Sequence, residues 1–414
     1  MSYPRIRVRG GPEERGRAYG GQARARVAAT LAAYARLFDH YAGLDWAEAR
    51  RRAAAFEAPI AEVGEDYLRE MRGIADGAGV DYADVLAVNV RTELMFSGMA
   101  AAMTGRRAAG AAPGIAGATP TTTPTAGTAP RAASGTPSSA PGSSLEGRPQ
   151  IPAAECTAAA VLPEASAGGH VLLGQNWDWK PSSADSLVVL EVERDDGPAY
   201  VTAVEAGLLA KTGMNAAGVG VTTNALVSEF DRGEPGLPYH VALRACLDAE
   251  RASDALLLLE AHTRSSSANY LIAHADGAAV DAEGAPGGRD RLFLDFGTGG
   301  VLVHANHFTD ARLAGRDLNR ELSAGTLFRA ARLRAGLAGG GATPERFQAA
   351  LRDHAEYPLG VCAHPDPRRP EPERSATLVS VVMDLTARRM WIADGNPCTA
   401  PYTEGDYAGL LGAA

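Results

Sequence analysis

Cys156 is the residue whose type and position most directly indicate chemistry. It stands where a stretch rich in Ala, Thr, Pro, Gly and Ser ends and strand-like sequence begins. If the bond between Glu155 and Cys156 were cut, one residue would carry both a thiol and an α-amine. The ordinary pKa of an α-amine is about 7.7–8, which suits a general base. The junction therefore predicts self-cleavage before Cys156, which then serves as both nucleophile and base.

Three polar residues at predicted strand ends could assist such a thiol. Asp178 ends the return strand of a predicted hairpin, where its carboxylate could accept a hydrogen bond from the α-ammonium. Asn306 closes an apolar strand, and its amide could donate to a tetrahedral oxyanion. Arg374 precedes another strand, and a guanidinium near a thiol favours the thiolate and could hold a substrate carboxylate.

The other cysteines offer a weaker alternative. Cys246 lies in an apolar helical pattern, which favours packing in the core. Cys362 and His364 lie in loop-like sequence and form a rival thiol–imidazole pair, while Cys398 is also in a loop. The four cysteines contain no CxxC pair, so the sequence predicts neither a disulfide framework nor a cysteine zinc site.

Two other patterns are weighed against metal and phosphate binding. His304 and His307 are spaced like ligands on a helix, but their segment is predicted to be a strand end, and no Cys or acidic cluster completes a site. Gly213, Gly218 and Gly220 do not form a phosphate loop, because no helix start and no Lys-Ser/Thr pair follow them. We therefore expect no metal and no cofactor.

Several motifs together resemble a known family. They occur, in order, at residues 73–80, 89–93, 155–157, 174–178, 213–219, 304–307 and 374–378, and the resemblance extends from about residue 15 to 396. The sequence is similar to peptidase family C45, the N-terminal nucleophile (Ntn) hydrolases that resemble acyl-coenzyme A:6-aminopenicillanic acid acyltransferase. The order and spacing of the motifs carry this resemblance, since no single motif is specific enough.

The resemblance implies a fold and a set of site residues. The fold is α+β, a four-layer αββα sandwich with an N-terminal helical lobe. The bond between Glu155 and Cys156 would be the self-cleavage site. The matching active-site positions are Cys156, Asp178, Asn306 and Arg374, and the candidate pocket residues are Asn176, Trp177, Lys211 and His307.

The implied reaction is acyl transfer through a thioester on Cys156. Water as acceptor would make the protein an amidohydrolase of small N-acyl compounds, and an amine would make it an acyltransferase. The alternatives are a dedicated acyl-coenzyme A-dependent N-acyltransferase, an unprocessed cysteine peptidase that uses Cys362 and His364, and a non-catalytic binding protein descended from the family. Retention of the four active-site positions argues against the last of these.

Composition divides the chain into three parts. Residues 1–97 are predicted to form the helical lobe, and residues 98–152 lack the apolar content needed for a core and are predicted to be a disordered linker. Residues 153–414 form the catalytic domain, with predicted strands at 157–163, 169–179, 186–194, 199–205, 218–226, 269–274, 278–282, 291–296, 301–306, 376–384 and 389–393. Helices between these strands are predicted at 238–249, 253–262, 322–337 and 343–354.

Charge and hydropathy limit the partners. The 414 residues carry a net charge of −9, which argues against nucleic acid or an anionic membrane as the main partner. The start of the chain lacks an apolar run of signal-peptide length, and no segment has the roughly 20 apolar residues that span a bilayer. We expect a cytoplasmic enzyme with a small acyl amide or thioester as substrate. Self-cleavage would convert it into an α/β heterodimer.

Overall fold

Two β-sheets form the centre of the computed structural model, which describes residues 3–110, 156–405 and 407–412. The strands of the larger sheet are, in spatial order, β1 (Arg5–Gly10), β4 (Leu187–Arg194), β5 (Tyr200–Glu205), β6 (Thr212–Asn215), β7 (Val219–Ala225), β8 (Ala268–His274), β9 (Ala279–Gly284) and β10 (Leu292–Asp295). Those of the smaller sheet are β11 (Val301–His304), β2 (Cys156–Val161), β3 (Leu172–Trp179), β12 (Ala376–Asp384), β13 (Arg389–Asp394) and β14 (Thr403–Gly405). Neighbouring strands are antiparallel, except that β1 and β4 are parallel.

The helices fall into groups along the chain. Before the first strand of the smaller sheet come α1 (Pro12–Gln22), α2 (Arg24–Ala42), α3 (Trp46–Ala53), α4 (Glu57–Val63), α5 (Glu65–Ala78), α6 (Tyr82–Asn89) and α7 (Arg91–Gly110). Between later strands lie α8 (Tyr239–Cys246), α9 (Ala252–Ala261), α10 (Ala311–Ala314), α11 (Asn319–Leu322), α12 (Gly325–Leu337) and α13 (Pro344–Ala350), and α14 (Ala408–Leu411) follows the last strand.

The layers are helices, sheet, sheet and helices. Strands β2 and β3 pack against β7 and β8 across the interior, α12 and α13 contact the smaller sheet, and α1, α2, α8 and α9 contact the larger one. At Gly220 in β7 an added Cβ would be too close to Leu173 and Leu385, so the lack of a side chain there lets the sheets approach. The αββα sandwich predicted from the sequence is confirmed.

The N-terminal region differs from its prediction in two respects. Strand β1 pairs with β4, so the segment predicted as a helical lobe also supplies an edge strand to the larger sheet. Helix α7 continues to Gly110, beyond the predicted start of the linker at residue 98. The rest of the predicted linker, with Glu155, lies outside the described residues. Within those residues, no helix is both long and apolar enough to cross a bilayer.

Candidate active site at the start of β2

Cys156 is the first residue of β2 and lies in the interior of the smaller sheet. It pairs with Trp177 of β3, and its side chain is buried. Paired residues of antiparallel strands point to the same face, so the thiol lies on the Trp177 side of the sheet. The Cys156 N–H donates to Asn306 Oδ1 at 2.6 Å. Pairing of β2 with β11 therefore brings Cys156 beside the segment that follows β11.

Asn306 is held in one orientation by three partners. Its Oδ1 accepts from the Cys156 N–H and from Arg329 at 2.8 Å, and its Nδ2 donates to the Ala225 carbonyl at 2.9 Å. Two donors thus face the oxygen and one acceptor faces the nitrogen, which assigns the amide. The oxyanion role expected for Asn306 would need its nitrogen, whereas its contact with Cys156 uses its oxygen.

Arg329 is a site residue that the sequence analysis missed. It lies in α12, is fully buried, and reaches both Asn306 Oδ1 and Thr157 Oγ1, the latter from Nε at 3.2 Å. A charged group at this depth is costly unless its donors are used, so these contacts fix its position. In the sequence it is one of several arginines in an Arg-rich helix, and nothing in the spacing distinguishes it.

Asp178 lies one residue beyond the partner of Cys156 and is buried. Its Oδ1 accepts from Thr377 Oγ1 at 2.6 Å, and the Thr377 oxygen in turn accepts from the Ala363 N–H at 2.9 Å. Strand β12 positions this pair, because Thr377 and Asp178 are opposite each other in the register. The structure therefore connects the predicted aspartate to the loop that contains Ala363.

Lys211 lies in the connection before β6. It is buried, with its Nζ 3.6 Å from the centroid of the Trp177 ring. Burial, and then the Arg91 cation, lower the pKa of Lys211 to about 7, while Cys156 and Glu205 act in the opposite direction. A lysine with a pKa near neutrality can accept a proton at physiological pH.

The environment of the Cys156 thiol contains opposing influences. Burial raises its pKa, since the thiolate is poorly solvated there, and the Asp178 carboxylate adds to this effect. The cations of Lys211 and Arg329 lower the pKa, as does a hydrogen bond from the Asp178 backbone. The cations that favour the thiolate are therefore Lys211 and Arg329. The sequence had suggested Arg374 for this role.

Arg374 lies farther along the same end of the sheet. Its guanidinium donates to the carbonyls of Arg369 and Pro367 at 2.9 and 3.5 Å. Within the described residues it makes no hydrogen bond to Cys156, Asp178 or Asn306. It lines a cleft of about 610 Å³ together with Arg36 and His40 of α2. The structure thus gives the Arg374 guanidinium loop carbonyls as hydrogen-bond partners and places it in the lining of this cleft.

Asn176 and His307 have other partners. Asn176 Nδ2 donates to the carbonyls of Leu351 and Val361, both at 2.8 Å, and so anchors the segment after α13. His307 Nδ1 lies 3.0 Å from Thr326 Oγ1, and burial, with the neighbouring His304 cation, lowers its pKa to about 4.

His304 makes a separate buried ion pair, with its Nε2 2.7 Å from the Glu283 carboxylate. Burial alone would lower the pKa of His304, but the Asp281 and Glu283 carboxylates raise it to about 9. The two histidines weighed from the sequence as ligands thus have protein partners of their own.

The rival pair of Cys362 and His364 also comes together. Cys362 Sγ lies 3.6 Å from His364 Nε2, but Cys398 Sγ is equally close to Cys362, at 3.6 Å. Burial raises the pKa of Cys362 to about 12, which keeps the thiol protonated at neutral pH. This environment does not favour a thiolate nucleophile.

Comparison with known proteins places the chain in a family. The model of the acyl-coenzyme A:6-aminopenicillanic acid acyl-transferase family matches residues 165–399, more than half of the chain. The chain belongs to this family. The resemblance inferred from the sequence motifs is confirmed. Of the predicted active-site residues, Asp178, Asn306 and Arg374 lie within the matched range of this acyl-transferase family, and Cys156 lies just before it.

One curated relative is the 40 kDa form of acyl-coenzyme A:6-aminopenicillanic-acid-acyltransferase from Emericella nidulans. It is 29% identical to the chain over 228 residues, which cover 55% of the chain and 61% of that protein. The match therefore spans less than two thirds of the relative.

Two solved structures give weaker likenesses. One is a mutant of conjugated bile acid hydrolase from Clostridium perfringens, with a TM-score of 0.41, 13% identity, and coverage of 61% of this chain and 97% of that one. The other is penicillin V acylase from Agrobacterium tumefaciens, with a TM-score of 0.35, 15% identity, and coverage of 58% and 83%.

Proposed function

We propose that this chain is a self-cleaving cysteine enzyme that hydrolyses or transfers the acyl group of small N-acyl compounds, with Cys156 as its nucleophile. The observation that carries the proposal is the 2.6 Å hydrogen bond from the Cys156 nitrogen to Asn306 Oδ1. Cleavage before Cys156 would turn this nitrogen into the α-amine. The amine would then already be anchored beside its own thiol.

Self-cleavage begins with attack of Cys156 Sγ on the carbonyl carbon of Glu155. The thiol proton passes to a nearby acceptor, the C–N bond breaks, and the released nitrogen takes up a proton. The resulting thioester is hydrolysed by water, which gives a Glu155 carboxylate and a free thiol. The mature protein then has one chain ending at Glu155 and another beginning at Cys156.

Acyl transfer repeats this chemistry on a substrate. The α-amine accepts the thiol proton, and the thiolate attacks the acyl carbon to form a tetrahedral oxyanion. Asn306 Oδ1 holds the amine. The candidate donors to the oxyanion are a backbone N–H and the hydrogen of Asn306 Nδ2 that does not bond the Ala225 carbonyl. The leaving amine takes the proton, and water or another amine resolves the thioester. A substrate carboxylate would bind in the cleft beside Arg374.

A dedicated acyl-coenzyme A-dependent N-acyltransferase is the second candidate, and it is favoured by the family match and by the name of the curated relative. The two candidates share Cys156 and differ in the acyl donor, which is an N-acyl compound in the first and an acyl-coenzyme A thioester in the second; hydrolysis and transfer differ in the acceptor. Incubation with an acylated small amine, followed by titration of a second amine, measures how one thioester partitions. If the rate at which the free carboxylic acid forms stays constant as the concentration of the second amine rises, hydrolysis is supported. If nearly all of the thioester is instead converted to the new amide, transfer is supported.

Self-cleavage is the most direct test of the proposal. Intact-mass analysis of the purified protein should find two chains, one of which begins at Cys156, because the thiol and its neighbours are in place in the folded chain. Cys156→Ala should give one uncut, inactive chain. Cys246→Ala, which removes a buried cysteine of α8, should be cut as the wild type is. Full-length protein that is nevertheless active would refute the mechanism.

A further inference from the structure

Four potential metal ligands meet in the loops at one end of the smaller sheet, where β12 begins and β13 ends. They are His354, Cys362, His364 and Cys398, and their nearest nitrogen and sulfur atoms all lie within 4.8 Å of one another. His354, Cys362 and His364 lie in the connection between α13 and β12, and Cys398 follows β13. Two loops thus converge on one point.

Four of the six distances between the ligand atoms match the edges of a tetrahedron around one ion, and the two between His354 and the sulfurs are at most 4.8 Å. Zinc binds thiolate sulfur at about 2.3 Å and imidazole nitrogen at about 2.0–2.1 Å, so tetrahedral edges are about 3.8 Å for S–S, about 3.6 Å for S–N and about 3.3 Å for N–N. The structure has 3.6 Å between Cys362 Sγ and Cys398 Sγ, and 3.6 and 3.4 Å from these sulfurs to His364 Nε2. The His354 and His364 Nε2 atoms are 3.2 Å apart.

We propose that this cluster binds one structural zinc ion through two thiolates and two imidazoles. Two sulfurs and two nitrogens in tetrahedral arrangement form a donor set that suits zinc, and four protein ligands leave no open position for catalysis. Binding releases the protons of the two thiols, and the two imidazoles bind as neutral ligands through Nε2. The expectation of no metal rested on the lack of a CxxC pair and of a cluster that completes a site with His304 and His307, and these criteria do not detect ligands that two separate loops bring together.

Neighbouring contacts connect the zinc site to the catalytic end of the sheet. Asn396 Nδ2 lies 3.5 Å from Cys362 Sγ and 2.5 Å from the Ala363 carbonyl. The Ala363 N–H donates to Thr377 Oγ1, which donates to the Asp178 carboxylate. The ion would therefore fix the loop whose backbone orients Asp178 through Thr377. This role is independent of which acyl acceptor the enzyme uses.

Metal analysis of untagged, full-length protein tests the site. Protein purified without chelator should contain about one zinc ion per chain, as measured by inductively coupled plasma mass spectrometry. Cys398→Ser and His364→Ala should each lose most of this zinc, and Cys246→Ala should retain it. Cobalt added to protein stripped of zinc should give the intense visible bands of a tetrahedral ion and the near-ultraviolet bands of thiolate ligation.

Removal of the zinc should also lower the melting temperature, and zinc should restore it. Cys398 is at the surface, so its replacement tests binding without disturbing the core. Two results would overturn the proposal. One is protein that takes up neither zinc nor cobalt, and the other is a Cys362–Cys398 disulfide in freshly purified protein, detected as resistance of both thiols to alkylation.

Discussion

The first proton acceptor for the Cys156 thiol is the central question at the scale of single residues. The uncut chain has no α-amine at Cys156, so the base proposed for the mature enzyme does not yet exist during self-cleavage. Lys211 is buried near this thiol and its pKa is lowered to about 7. Above that pH the lysine is a neutral amine, which can accept the proton. We therefore predict that Lys211 accepts this first proton.

Replacement of Lys211 should slow self-cleavage with a recognisable pH signature. In the wild type the rate should rise as the pH passes upward through about 7, because the lowered pKa makes Lys211 neutral above that value. Lys211→Met should slow cleavage about 10²–10⁴-fold, the usual contribution of a general base. The rise near pH 7 should disappear. Denaturing electrophoresis of refolded precursor, moved from acid to a series of pH values, measures both effects.

Lys180→Met is the matched control, since Lys180 and Lys211 are the two lysines of the chain. Lys180 is also buried, but its Nζ donates to the Glu373 carbonyl at 3.2 Å. This variant should cleave with the wild-type pH profile. A Lys211→Met protein that cleaves at the wild-type rate, with the rise near pH 7 intact, would exclude Lys211 as the base.

Sequence motifs predict some residues of this site and cannot predict others. Cys156 and Asp178 follow from their place in a hairpin and from the family motifs, and the structure brings them together. Arg329 could not be found, because it reaches Asn306 and Thr157 only through the packing of α12 on β2. The orientation of Asn306 was equally inaccessible, since it depends on Arg329 and on the Ala225 carbonyl, both distant in sequence.

At the scale of elements, the crossing of α1 and α5 explains a motif that has no evident chemistry. Gly16 and Gly20 of α1 lie against the backbone of α5, and Gly73 and Gly77 of α5 lie against the backbone of α1. An added Cβ at any of these positions would overlap a carbonyl group of the facing helix. The glycines of the 73–80 motif therefore allow two helices to pack at backbone distance.

A single added methyl group should separate this helix pair. Gly77→Ala places a Cβ against the Arg17 carbonyl and should lower the free energy of unfolding by about 1–3 kcal/mol, as overpacking does. Gly105→Ala in α7 is the control, because an added Cβ there has nothing within 4 Å. It should stabilise by about 0.5–1 kcal/mol, the helical preference for Ala over Gly. Urea denaturation measures both changes, and equal effects would refute the close crossing.

Strands of the second half could be predicted better than the elements at the N-terminus. The hairpin of β2 and β3 was recognised from its apolar runs and its intervening turn, as were β7, β8 and β12. Strand β1 was missed although its residues alternate between exposed and buried along Arg5–Gly10. Its partner β4 lies far along the chain, and no local signal predicts a parallel pairing with it. Strand β6 has only four residues, which is too short for a pattern.

At the scale of the whole molecule, the segment before Cys156 is built into the catalytic sandwich. Strand β1 adds its backbone to the larger sheet at β4. Arg91 forms a buried ion pair with Glu205 at 2.6 Å, and the Tyr34 hydroxyl donates to the same carboxylate at 2.8 Å. The Asn89 side chain bonds the backbone of the turn after β5. These contacts hold the segment before Cys156 to the segment after it, and they do not depend on the Glu155–Cys156 peptide bond.

The two chains should therefore remain together after self-cleavage as an α/β heterodimer. Separation would expose the edge of the larger sheet at β4 and break the buried Arg91–Glu205 ion pair, whereas self-cleavage itself removes none of these contacts. Cut protein should elute in size exclusion at the position of the uncut Cys156→Ala variant, in high salt as in low salt, because buried pairs are weakly screened. Denaturant should release both chains in one transition. Two separate peaks under native conditions would contradict this assembly.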